Sequence, residues 1–342
     1  MKRILSVAAG IAAASLLVAS ASAQEVTLTL HHLLGPKAPA QTKMLEPWAK
    51  SIEEASDGRI KVDIFPSMSL GGKPPELYRQ VRDGVVDVVW TVLGYTPGVF
   101  PRTEVFELPG VHLGSARETT MAIADSYDMV AEDFKDVKPI LIHTHGGQAI
   151  HMVEKPVRSP DDLVGQKLRT PSRTGGWIIE ALGAEPVGMP VPALPQALSK
   201  GVVAGTLVPF EIFRPLKLHE LTKYSTEGPG GRRFGTSTFM IAMNLDRYNS
   251  LPDDLKKVID DHSMGNIAET YGQVWDDAEA DGKGLRRETG ELIELDDSEM
   301  AAFDVKMAPV VDRWIEEANS NGLDGTAMVE AAKAAVAKQH GN

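Results

Sequence analysis

The sequence predicts an α/β fold in two lobes, and three observations carry that prediction. Strand-like alternation and helical periodicity succeed one another through residue 89, and the same succession restarts near residue 140. With 342 residues the chain is also long enough to build two separate cores. Two cores imply a cleft between them.

The elements follow in order. Lys2 and Arg3, the apolar stretch Ile4 to Val18 and the small residues Ala21-Ser22-Ala23 read as a secretory signal cleaved before Gln24. The mature chain, about 319 residues, is therefore expected outside the cytoplasm. It has no later segment apolar enough to cross a bilayer. Val26 to Leu30 alternates like a strand, and Met44, Leu45, Trp48, Ile52 and Ala55 mark one helix face that ends at Asp57-Gly58. Ile60, Val62 and Ile64 alternate again. Pro74-Pro75 opens a short helix through Leu77 and Val81 to Asp83-Gly84, and the β-branched run Val85 to Val89 follows as a strand.

Ile140 to Thr144 opens the second unit, with a further short strand at Lys167 to Thr170, so residues 145 to 147 are the expected crossover. An internal echo supports the division: Leu77, Val81, Gly84, Val85 and Val86 recur in spacing as Leu194, Leu198, Gly201, Val202 and Val203. Near the C-terminal third, Leu251-Pro252-Asp253-Asp254 starts one long helix expected to run past Trp275 to about Leu285 and brace both lobes. The division read from this pattern is 24–146 plus 236–275 for lobe I and 147–235 plus 276–342 for lobe II.

Composition narrows the chemistry. Loss of Lys2 and Arg3 from 35 basic residues, against 47 acidic ones, leaves a formal net charge of about −14, which disfavours nucleic acid and anionic membrane surfaces as partners. An acidic body that captures an anion needs a local cationic anchor. No cysteine is present, so disulfides, thiolate metal sites and thiol catalysis are excluded.

The richest segment is Gly165 to Ser172. Arg169 stands at the end of a short strand where Pro171 turns the chain, a position from which a guanidinium can hold a carboxylate through two parallel hydrogen bonds. The competing reading is a surface arginine paired with one of the many acids. Ser172 to Trp177 puts small residues at a helix start, where N–H groups favour anions. His143, His145 and His151 are close in sequence, yet without cysteine or an HExxH helix a full metal site has little support, and hydrogen-bonded strand histidines account for them. Of His31 and His32, which point to opposite faces, one reaches a cleft. The loop Gly228 to Arg233 reads as an anion cradle or a surface turn. The pairs Asp253-Asp254 and Asp296-Asp297 read as helix caps. There is no GxSxG elbow, SxxK, P-loop or GxGxxG after a strand.

At these residues the chain resembles the solute-binding proteins of tripartite ATP-independent periplasmic (TRAP) transporters, the C4-dicarboxylate-binding family. The resemblance rests on Gly58-Arg59-Ile60, Asp83 to Asp87, Phe106-Glu107-Leu108-Pro109, Gly165 to Pro171, Gly183-Ala184, Leu198 to Gly205 and Asn244 through Leu255, in the family's order along nearly the whole mature chain. It implies a two-lobed periplasmic binding protein fold braced by a long helix and closing over an organic acid for delivery to membrane subunits, with no cofactor, no metal and a monomeric state. Arg169 matches the family's carboxylate-gripping arginine. Members that bind sugar acids place polar side chains where this chain has Leu34, Val92 and Val208, and often carry a second arginine near Gln148 to His151, which is absent here.

The expected ligand is thus a carboxylate with few other polar groups: a monocarboxylate with an aromatic body, or with an oxo or hydroxyl group beside the acid. Trp90, Tyr95, Trp177, Phe210 and Phe213 are candidate walls, and His31 is a further candidate contact. Gln148 or His151 are candidate neutral donors, and Ser172 a candidate hydroxyl. The alternatives are a C4-dicarboxylate as ligand, a secreted enzyme acting on small acids with His143, His145 or His151 as its base, and a binding subunit that feeds a receptor.

Overall fold

The computed structural model describes residues 25–340, so the expected signal segment lies outside the described residues. The strands are β1 (Val26–His32), β2 (Ile60–Phe65), β3 (Val88–Val92), β4 (Val137–Thr144), β5 (Ala149–Met152), β6 (Lys167–Thr170), β7 (Glu185–Gly188), β8 (Gly205–Val208), β9 (Tyr224–Glu227), β10 (Thr238–Asn244) and β11 (Glu291–Glu294). They form two mixed sheets, ordered β2-β1-β3-β10-β4 and β7-β6-β8-β5-β9-β11.

The two sheets repeat one plan. In lobe I, β1 lies parallel between β2 and β3; in lobe II, β6 lies parallel between β7 and β8. Each sheet then takes an antiparallel strand from just beyond a crossover. The chain leaves β4 through residues 145–148 and enters lobe II as β5, beside β8 and β9. It returns from β9 through 228–237 and enters lobe I as β10, between β3 and β4.

The echo in the sequence is one repeated turn. Helix α2 (Leu77–Arg82) leads through Gly84 to β3, as α5 (Leu194–Ser199) leads through Gly201 to β8; α1 (Glu46–Ala55), α3 (Ala116–Asp125) and α4 (Arg173–Ala181) complete the helices labelled before residue 200. Gly84 and Gly201 both have positive φ, 72° and 66°, the left-handed conformation that closes a helix. Val85 N–H then donates back to Gln80 O at 2.8 Å and Val202 N–H to Ala197 O at 2.9 Å. That bond explains a difference from expectation: Val85 is spent on the helix cap and exposed, so β3 begins at Val88.

The expected single C-terminal helix is two: α6 (Asp253–Asp261) and α7 (Gly265–Thr289). Met264 breaks the run with φ 48°, and its N–H donates to Ile140 O of β4 at 2.6 Å instead of to a helical carbonyl. Helix α7, roughly 37 Å long, braces both lobes. Its Asp276 accepts from Ser115 Oγ (2.6 Å), Ala116 N (2.6 Å) and Arg117 N (3.1 Å) at the start of α3, where the helix dipole favours an anion. Three residues on, Glu279 accepts from Glu211 N and Arg233 Nη2, each at 3.0 Å, in lobe II.

Two helices follow, α8 (Asp297–Ser320) and α9 (Gly325–His340). Helix α8 packs on α4, but α9 returns to α3 of lobe I, away from the lobe in which the division at 275/276 puts it. It buries Val329, Ala332 and Val336 there, and Gln339 Nε2 donates to Asp125 at 2.8 Å. Among the described residues no helix is long and apolar enough to cross a membrane.

Candidate ligand-binding cleft

The C-terminal ends of β1, β3, β6 and β8 all point at the gap between the lobes, the place where parallel sheets present loops and free backbone groups to ligands. The residues there, with parts of both crossovers, line a partly open cavity between the lobes. Leu33, Leu34, Val92, Val191, Val208, Pro209 and Ile212 make most of its wall apolar. The lobes meet beside it. Arg173 of lobe II forks onto Glu104 of lobe I at 2.8 and 2.6 Å, and Thr174 Oγ1 donates to Glu107 at 2.5 Å.

Arg169 is the one cationic side chain in this lining, among the described residues, and it is 1 % exposed. Its guanidinium donates to Met189 O (2.9 Å), Leu207 O (3.4 Å) and Tyr95 Oη (3.5 Å), all uncharged acceptors. Burial pulls its pKa below the usual arginine range, with only a partial offset from Tyr95. A charge held out of water without a counter-charge is costly unless an anion arrives to pair with it. Tyr95 reaches across from lobe I, and its Oη also accepts Val191 N–H at 2.8 Å, which leaves the phenol proton to donate.

Not every buried arginine has this character. Arg233, in the loop expected as an anion cradle or surface turn, is buried and pairs with Glu227 and Glu279. Arg286 also lacks an acid, but its guanidinium donates to Thr222 Oγ1 at 2.6 Å and lies 4.9 Å from the Phe213 ring, away from the cavity.

One wall is flat. Trp90 and Phe239 line the cavity and stack with centroids 5.4 Å apart and planes 5° from parallel. His143 and Trp275 extend the stack behind them. Trp90 Nε1 donates to His143 Nε2 at 2.9 Å, and burial pushes that imidazole down to about 4, so it stays neutral and able to accept.

Of the residues read from the sequence, the structure brings Arg169, Gln148, Tyr95 and Trp90 around the cavity, along with Leu34, Val92 and Val208. It puts the others elsewhere. His151 has both ring nitrogens occupied, by Ser225 Oγ (2.7 Å) and Val208 O (3.0 Å), and burial drives its pKa well down. Phe210 and Phe213 pack on its ring within lobe II. His31 is bound by Gln80 Oε1 at 2.8 Å and by Leu70 N–H at 3.3 Å. Ser172 caps α4, accepting Gly175 N–H at 3.2 Å, and Trp177 lies between the guanidinium groups of Arg173 and Arg313 on an outer groove. His145 does line the cavity, with Nδ1 accepting Gly147 N–H at 3.0 Å. Among the described residues no three His, Asp or Glu side chains gather as a metal site.

Sequence reasoning missed Glu211, Ser237 and Phe239. Glu211 left one signal, an acid inside the apolar run Val208-Pro209-Phe210-Glu211-Ile212-Phe213. Ser237 and Phe239 left none, because they reach the cleft only through the return of β10 to lobe I.

Two lobes of one topology, crossed twice by the chain and closed over a buried cation, define a solute-binding protein that holds its ligand between the lobes. The chain belongs to the bacterial extracellular solute-binding protein family 7, the DctP family, which it matches over residues 30–318. It is thus a TRAP-type solute-binding protein, built to bind rather than to catalyse. A marine metagenome TRAP solute-binding protein specific for aromatic acid ligands, solved with 3-hydroxybenzoate, is 43% identical, covers 92% of this chain and 99% of its own, and superimposes with a TM-score of 0.90. A TRAP solute-binding protein from Rhodoferax ferrireducens T118, solved with copurified benzoate, is 36% identical, covers 92% and 98%, and has a TM-score of 0.89. The C4-dicarboxylate-binding periplasmic protein DctP of Rhodobacter capsulatus is 25% identical over 97% of this chain and 99% of its own.

Proposed function

We propose that this protein captures an aromatic monocarboxylate between its lobes and delivers it, as a monomer, to the membrane subunits of a TRAP transporter. Export by the N-terminal signal, with cleavage after Ala23, delivers it to the periplasm. Lobe I is the unit of β1 to β4 and β10, lobe II that of β5 to β9 and β11, and they move as two bodies about the crossovers at 145–148 and 228–237.

One observation carries the reading: Arg169 is buried in an apolar cavity with no acid beside it. The ligand carboxylate completes that pair, with the Tyr95 hydroxyl as a second donor. Trp90 and Phe239 then offer flat faces to an aromatic body. A sugar acid or C4-dicarboxylate fits less well, because the lining has few polar groups for several hydroxyls and holds no second cation for a second carboxylate. The relatives solved with benzoate and 3-hydroxybenzoate support the same class.

A thermal-shift panel of benzoate, mandelate, phenylpyruvate, succinate and glucuronate tests this. The aromatic acids should raise Tm, since ligand at 100 times Kd stabilises by about 2.7 kcal/mol. A shift with succinate or glucuronate alone would sink the aromatic assignment.

A further inference from the structure

Two buried polar atoms at the cavity have no partner in the protein: Gln148 Oε1 and Glu211 Oε2. Both residues line the cavity and are more than nine-tenths buried, at 2 % and 7 % exposure. Gln148 is held in place, since its Nε2 donates to Ser237 Oγ at 2.9 Å, and Ser237 also lines the cavity. Glu211 has its backbone N–H tied to Glu279 on α7 but its carboxyl free of any cation. Burial, and then the Glu279 carboxylate, push the Glu211 carboxyl well above the ordinary range, which favours its protonated form, the form able to donate.

Gln148 leaves the backbone at a distance from the cationic anchor. Arg169 pairs with Thr206 across β6 and β8, whereas Ala149, next to Gln148, pairs with Val208. Gln148 is therefore about three residues further along β8, roughly 10 Å at strand spacing. The anchor takes the carboxylate; the second polar group faces whatever the far end of the ligand presents. An acceptor amide oxygen and a carboxyl group, both left unpaired in one lining, suit a ligand group that both donates and accepts. A hydroxyl does so, a hydrocarbon edge satisfies neither, and a second carboxylate repels Gln148 Oε1.

We propose that Gln148 and Glu211, with Ser237 positioning the amide, form a hydroxyl-recognition subsite that selects aromatic acids bearing a ring hydroxyl over the unsubstituted acids. This deepens the aromatic-acid reading and rests on it. The subsite contributes by leaving no buried polar atom unpaired once the hydroxylated ligand is seated, so discrimination exceeds what the added contact alone supplies.

Isothermal titration of benzoate, 3-hydroxybenzoate, 4-hydroxybenzoate and 3-aminobenzoate separates the two readings. The better hydroxybenzoate should bind at least tenfold more tightly than benzoate. In Gln148→Leu and Glu211→Leu the ratio of hydroxybenzoate to benzoate affinity should fall toward one, whatever the change in benzoate affinity itself; Glu211→Gln, which retains a donor, should keep part of the preference. Benzoate binding as tightly as both hydroxybenzoates would overturn the subsite and leave the aromatic reading intact. Tighter binding of 3-aminobenzoate would also overturn it, since an arylamine is chiefly a donor and points to an ionised Glu211. Failure of all four acids to bind would overturn both readings. The wild-type series decides the matter even where a variant does not fold.

Discussion

His31 and Arg169 occupy the same place in the two lobes. Aligning the repeated turns at Gly84 and Gly201 matches Val89 of β3 to Thr206 of β8, and these are the partners of His31 in β1 and Arg169 in β6. Both side chains are buried. In lobe I the imidazole is fully used by the protein, between Gln80 Oε1 and Leu70 N–H. In lobe II the guanidinium has only neutral oxygens around it and faces the cavity. One fold position thus serves structure in one lobe and binding in the other, and what separates them is whether the protein itself satisfies the group. Lobe I accordingly gives the cleft its flat apolar wall, and lobe II its charge.

The largest effect that sharpens this contrast belongs to Arg169→Met. It should cost 2 to 5 kcal/mol of affinity for benzoate-type acids, about 30-fold or more by titration, as a charge-assisted pair is lost. The unliganded protein should unfold at the same temperature or higher, because a buried charge without a counter-charge has been removed. His31→Leu should do the reverse. It strands Gln80 Oε1 and the Leu70 N–H, so stability should fall by about 1 to 3 kcal/mol in urea melts while affinity changes less than threefold. If both variants lose binding and stability alike, the contrast between the lobes is wrong.

A smaller effect is expected where the lobes touch. Tyr95→Phe keeps the ring but removes the oxygen that accepts Val191 N–H and faces Arg169. Affinity should fall by about fivefold to tenfold, in line with roughly 1 kcal/mol for one hydrogen bond. The loss should appear chiefly in the dissociation rate, since the bond forms only with the lobes together. Unchanged kinetics would remove Tyr95 from the closed state.

Local physics made much of this legible in the sequence. The turn at Gly84 and its repeat at Gly201 are written in short-range spacing, and Arg169 stands out because a strand end followed by proline is a local feature. What stayed hidden depends on pairing between distant segments. The exchange of strands between the lobes carries Ser237 and Phe239 to the cleft, and no periodicity records it. The return of α9 to α3 is likewise set by packing rather than pattern. Among the aromatics, facing decided the outcome: Phe210 and Phe213 turn into lobe II onto His151, while Ile212 between them reaches the cavity.

The smallest effect lies behind the flat wall and concerns a proton. His143 donates Nδ1–H to Thr144 O at 3.1 Å and accepts from Trp90 Nε1, so its neutral form fits the stack that holds Trp90 against Phe239. Burial pushes its pKa from 6.5 down to about 4. A histidine depressed in the folded state binds a proton more readily when unfolded. Its contribution to stability is therefore complete above pH 6.5 and is lost as the pH falls toward 4, by at most about 1.4 kcal/mol per pH unit. Its ring resonances should stay flat in an NMR titration from pH 8 to 5 and move only near pH 4. A midpoint near 6.5 would mean that water reaches the ring and that lobe I does not present a dry, fixed wall to the ligand.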